Sequence, residues 1–193
     1  MSDIILLKKK KMEVIKKINE SSFCVKFKKK TLFLHTFSSL NELNNYLSVY
    51  KEFKTIGVNV PKILYVDKKT YSFASEYIDG PKVIELISKE ELSDKIYEQI
   101  FLQAWYAKSD RLCLNFMPDR FRYFNSKLYY LSPDFDSYDE KNAFQIKWIR
   151  YWIYSKELID LLKEKGYPVD TSRLKDEYLT NKEIVLKTVK FYR

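Results

Sequence analysis

Glycine is nearly missing from this chain, three in 193 residues, and it has only two cysteines and a single histidine, His35. That supply cannot furnish a cluster of Cys and His at metal-ligand spacing. Cys24 and Cys113 each fall in or beside an apolar strand of a different half of the chain, so buried thiols are expected in place of a disulfide. No apolar run approaches the ~20 residues that span a bilayer. The run from Ile4 to Leu7 is too short for a secretory core and precedes its lysines instead of following them. The expectation is a cytoplasmic protein with no membrane and no disulfide-linked partner.

Apolar and basic residues are plentiful. At 46% hydrophobic and 17% aromatic the chain is too apolar for disorder, and its length suffices for one ordinary core or two small lobes. The formal charge is +9 with a pI near 9.2, densest at Lys8, Lys9, Lys10 and Lys11 and at Lys28, Lys29 and Lys30. Such runs suit RNA or an acidic partner. A solvated, lysine-rich surface that reflects the source genome accounts for them without any partner.

Hydrophobic patterning divides the chain near Gly80. Three short apolar runs, Met12 to Ile18, Phe23 to Phe27 and Thr31 to Phe37, are broken by polar turns and predict an antiparallel meander. Ser39-Leu40-Asn41-Glu42 has the form of a capping box, and Leu40, Leu43, Leu47, Tyr50, Phe53 and Ile56 follow at helical spacing up to Gly57, predicting a helix from Ser39 to Ile56. Two more strands are predicted, Lys62 to Val66 and Tyr71 to Tyr77, closing at Asp79-Gly80-Pro81. Beyond that point the spacing predicts helices over Glu90 to Lys108, with Leu92, Ile96, Ile100 and Trp105 on its apolar stripe, and over Ala143 to Lys165. A further helix is expected in Thr171 to Arg193.

Between the helices of the second half lies Asn115-Phe116-Met117-Pro118-Asp119-Arg120, followed by Lys127 to Asp136, which includes Ser132-Pro133-Asp134-Phe135-Asp136. Together with Gly57-Val58-Asn59-Val60-Pro61 and Glu76-Tyr77-Ile78-Asp79-Gly80, this segment resembles the protein-kinase-like superfamily. The likeness is greatest to its small members: RIO kinases, the kinase subunit of the KEOPS assembly and aminoglycoside phosphotransferases. It covers Met12 to Leu162 in organisation. It implies an α+β, protein-kinase-like two-lobe fold, with residues 1–80 a five-stranded antiparallel N-lobe carrying one helix and residues 81–193 a mainly helical C-lobe. It also implies ATP, with magnesium, as ligand. The hinge would present backbone groups at Glu76, Tyr77 and Ile78 to a purine edge.

Carried over residue by residue, the resemblance meets replacements. The turn that should cover phosphates includes Ser21 and Ser22 but no glycine, so backbone amides cannot approach as a glycine-rich loop allows. His35 stands where the family has its phosphate-binding lysine, and a shifted register gives that role to Lys26. Asn115 stands at the base, where a carboxamide accepts no proton. Arg120 stands at a metal-binding asparagine, and Ser132 at the metal-binding aspartate, with Asp134 and Asp136 two and four residues on. Asp119 is either a displaced base or the cap of a turn after Pro118.

Three functions follow. The first is a degenerate, pseudokinase-like protein that binds or scaffolds. The second is an active atypical kinase using Lys26, Asp119 and Asp134 or Asp136. The third is a basic RNA-binding module that uses its lysine runs and tyrosines.

Overall fold

The computed structural model describes residues 3–132 and 134–169. They form an α+β protein of two compact units, one comprising the chain through Lys54 with Val60–Asp79, the other Thr55–Asn59 with the residues from Gly80 onward.

The first unit is built on strands β1 (Ile4–Leu7), β2 (Lys10–Asn19), β3 (Ser22–Phe27), β4 (Lys30–Thr36), β5 (Ile63–Asp67) and β6 (Ser72–Glu76), with helix α1 (Leu40–Ile56) between β4 and β5. All neighbours pair antiparallel in the order β1-β2-β3-β4-β6-β5. The sheet therefore has six strands and not five. The extra strand, β1, turns into β2 through Lys8 and Lys9, whose φ angles of 48° and 63° make a two-residue hairpin turn usually built from Asn-Gly.

Alternation along the strands sends Leu7, Met12, Val25, Leu32, Leu34 and Ala74 to one face, where they form a buried core. Each such side chain contributes ~1.5–3 kcal/mol when fully withdrawn from water, alanine less. Phe33, His35 and Phe73 take the opposite face, where Tyr46 of α1 stacks on Phe73 with ring centroids 4.5 Å apart. The sheet curls far enough for its edges to meet, since the Lys8 amide donates to the Asp67 carboxylate at 2.9 Å.

The second unit carries α2 (Val83–Ser88), α3 (Asp94–Ser109), β7 (Leu112–Leu114), β8 (Phe121–Phe124), β9 (Lys127–Tyr130), β10 (Phe135–Ser137) and α4 (Lys156–Glu164). Here the helices depart from the expected spans. The helix predicted from Glu90 begins at Asp94, after a separate short α2. Ile96, Ile100, Ala104 and Ala107 are buried on its inner stripe, whereas Trp105 is half exposed.

The helix predicted over Ala143 to Lys165 is broken into a wide π turn at Phe144–Trp148, a 3-10 turn at Ile149–Tyr151 and then α4. Ser155 is the physical reason: its hydroxyl donates to the Arg150 carbonyl and accepts the Leu158 amide, ending one segment and capping the next. The helix expected after Thr171 lies outside the described residues.

Among the described residues no helix is long and apolar enough to cross a membrane. Cys24 and Cys113 are both buried and free.

Candidate functional site

Strand β7 leads directly into Asn115–Arg120, and β10 returns antiparallel beside it, with Leu114 opposite Phe135 and Cys113 opposite Asp136. The hairpin β8–β9 lies between them in sequence, Phe121 opposite Tyr130. These two ladders bring the loop and the segment after β9 together, as the Leu131 amide donates to the Arg120 carbonyl at 2.9 Å. Because β9 ends at Tyr130, Ser132 and Asp134 lie in the connection to β10. Of the candidate metal ligands only Asp136 lies on a strand, β10.

An aromatic core holds the loop from behind. Trp152, fully buried, donates from its indole Nε1 to the Phe116 carbonyl at 2.6 Å, and its ring meets Phe121 and Phe144 edge to face. Its own carbonyl accepts the Tyr97 hydroxyl at 2.6 Å. Burial pushes the Tyr97 phenol up to about 12, so it remains a donor at neutral pH. From the other side, Gln99 and Gln103, one turn apart on α3, grip the β9 backbone at Leu128, Gln99 accepting its amide and Gln103 donating to its carbonyl. The edge of a two-stranded sheet is thus satisfied by two carboxamides.

A cavity of about 230 Å³ opens on this assembly, lined among others by Asn115, Asp134, Asp136, Lys147 and Trp148. That is below the ~300–1,000 Å³ of ordinary small-molecule pockets, enough for a small polar group. Asn115 turns its Oδ1 onto the Met117 amide at 3.2 Å, a local turn within the loop. Asp134 accepts the Tyr130 hydroxyl at 2.7 Å. Burial first, and then Asp134, raises the Tyr130 phenol far above its usual range, which keeps it a donor. Lys147 donates to Asn142 at 2.9 Å and lies 4.6 Å above the Trp148 ring. Neither Lys147 nor Trp148 carries a local sequence signal for this place. Both arrive through the π turn.

The two positions that the resemblance would assign to magnesium are joined to each other: Arg120 Nη1 donates to Ser132 Oγ at 2.8 Å. This donor set does not fit magnesium, which seeks several oxygen ligands in octahedral array and is repelled by a permanent guanidinium. Asp119 is absent from the cavity lining. One of its carboxylate oxygens faces Lys165 at 3.9 Å; the other is buried without a hydrogen bond, 4.0 Å from Arg120 Nε. Arg122 donates to the Gly80 carbonyl.

In the first unit, the predicted phosphate turn is a tight two-residue connection, Glu20-Ser21, with Asn19 paired to Ser22 and the Ser21 amide taken by the Asn19 side chain at 3.0 Å. Ser22 is buried and its hydroxyl meets His35 Nδ1 at 2.8 Å across β3–β4. Burial lowers the His35 pKa, and nearby Glu42, which acts weakly in the other direction, is itself bonded to Ser38. Lys26 is exposed on β3, opposite Thr31. Glu76 ends β6, exchanging backbone and side-chain bonds with Lys62, while Tyr77 is half-buried and Ile78 buried.

No protein-family model and no curated protein matches this chain.

Proposed function

We propose that this chain is a degenerate protein-kinase-like protein that works by binding and scaffolding, having lost magnesium-assisted phosphoryl transfer. The observation that carries the reading is the Arg120–Ser132 hydrogen bond. In phosphoryl transfer nearly all catalysis is positioning and charge neutralisation by metal ions. A guanidinium at these positions supplies a fixed positive charge but no exchangeable coordination site, and Asn115, at the start of the same loop, offers no base. The side-by-side setting of the Asn115–Arg120 loop and the segment after a short hairpin supports the kinase-like part of the proposal.

The rival, an active atypical kinase, requires Asp119 to serve as base and Asp134 or Asp136 to hold magnesium. Asp119 faces Lys165 and Arg120 outside the cavity that Asn115, Asp134 and Asp136 line, which favours a structural role in the turn after Pro118. Any affinity for ATP that the chain retains is accordingly independent of magnesium.

Calorimetric titration of the full chain with ATP, with and without magnesium, tests this. The expected result is dissociation constants that agree within about threefold, or no binding in either case. A tenfold or larger gain on adding magnesium, lost in Asp134→Asn, would support the rival.

A further inference from the structure

The lysine runs left unused by the second unit become a single surface in the first. The β1–β2 turn carries Lys8 and Lys9, the β3–β4 turn Lys28 and Lys29, and the turn after β5 Lys68 and Lys69, all exposed. Two sets of contacts tie these turns together. Asp67 accepts backbone amides from both Lys8, at 2.9 Å, and Lys69, at 3.0 Å, which binds the first turn to the third. Phe27 and Tyr65 meet edge to face at 5.7 Å. Lys10 Nζ lies 5.9 Å from the Phe27 centroid and 5.3 Å from that of Tyr65, and Lys28 Nζ lies 5.8 Å from Phe27 on its own account.

The consequence is charge that the fold concentrates and does not neutralise. Asp67, the carboxylate within this group, spends its oxygens on backbone amides, and these bonds hold its pKa below the usual range. Among the described residues no ion pair engages Lys9, Lys10, Lys28, Lys29, Lys68 or Lys69. Like charges brought together on turns raise the energy of the free protein, and a polyanion relieves that repulsion. Two of the turns also hold residues at positive φ, Lys8, Lys9 and Lys28, where asparagine or glycine is ordinarily preferred.

From this convergence we infer that the three-turn surface of the first unit binds the phosphate backbone of single-stranded nucleic acid, without reading its sequence. Phosphates repeat along such a strand and meet ammonium groups presented by separate turns, while the two aromatic rings hold Lys10 and Lys28 in place by cation–π contact. Ammonium groups meeting the phosphate backbone carry no sequence information, so the recognition is electrostatic. The inference is independent of the kinase-like reading, since it uses none of the residues on which that reading rests.

The test is fluorescence anisotropy with the full chain and a labelled 20-nucleotide single strand of mixed sequence, from low to physiological salt. Neutralising about four phosphates at a log-log slope of ~0.7 each gives ~2.8, or about a fifty-fold loss of affinity between 50 and 200 mM salt. Lys9→Glu, Lys29→Glu and Lys69→Glu together, one per turn and all exposed, are expected to weaken binding at least tenfold at 50 mM and to flatten the slope by about 2. A control triple of equal charge change in the second unit, Lys89→Glu, Lys95→Glu and Lys163→Glu, is expected to stay within about threefold of the parent.

Absence of binding at 50 mM salt, or equal losses in the two triples, would overturn the proposal. So would a phosphatidylserine vesicle or a polyglutamate chain binding through these lysines more tightly than the oligonucleotide, since the surface would then serve a membrane or an acidic protein.

Discussion

Trp152→Phe tests whether the aromatic core is what holds the Asn115–Arg120 loop. The indole makes one hydrogen bond, to the buried Phe116 carbonyl at 2.6 Å, and fills the space between Phe121 and Phe144. Phenylalanine keeps an aromatic ring there but removes the donor, leaving an acceptor unsatisfied at a cost of ~1–3 kcal/mol. The smaller ring also vacates roughly 40 Å³, which at ~24 cal/mol per Å³ adds about 1 kcal/mol. The expected destabilisation of the second unit is thus ~2–4 kcal/mol. All three tryptophans, Trp105, Trp148 and Trp152, belong to that unit, so the remaining two report its urea unfolding by fluorescence. Amide exchange at Arg120, whose N–H donates to the Met117 carbonyl, is expected to accelerate alongside. A loss under 1 kcal/mol with unchanged exchange would refute the argument that the indole bond fixes the loop.

Gly80→Ala should destabilise the same unit by ~1–3 kcal/mol or more, because a Cβ there falls 2.1 Å from the Tyr123 carbonyl oxygen, and differential scanning calorimetry reads the drop. Gly166→Ala has open space around it and meets only the cost of φ +77°, so its midpoint should fall far less. His35 gives the first unit a pH dependence. Its folded pKa lies below the unfolded value near 6.5, so the unfolded chain binds the proton first and stability declines as pH falls through 6.5 toward the folded pKa. His35→Asn should remove that component when urea midpoints are compared between pH 7.5 and 5.5, and an unchanged difference would contradict it.

The meander and the hairpin of β5 and β6 were readable because apolar alternation and polar turns agree at each of them. Strand β1 was not, since Lys8-Lys9 adopts a left-handed turn that lysine pairs do not signal, and its pairing with β2 depends on Ile5 and Leu7 reaching the sheet core beside Met12. The apolar positions from Phe144 to Trp152 do follow helical spacing. They are nevertheless consumed by packing against Phe101, Phe116 and Phe121, which prefers a π turn and a break at Ser155 over a continuous helix. Asn115, Arg120 and Ser132 could be singled out from sequence as departures from a kinase-like pattern. The contact between Arg120 and Ser132 could not, because it depends on β7 and β10 pairing across twenty intervening residues of loop and hairpin. Lys147 and Trp148 reach the cavity by the same route, tertiary packing that leaves no local pattern.

The central proposal, that the Arg120 guanidinium bonded to Ser132 marks a kinase-like protein without phosphoryl transfer, is tested most directly by single-turnover assay of γ-phosphate release and transfer from ATP with saturating magnesium. The expected rate lies at least about a thousandfold below the ~1–100 s⁻¹ of ordinary kinases and is unchanged by Asp119→Ala or Asp134→Ala. Magnesium-dependent turnover in the ordinary range, abolished by either substitution, would contradict it.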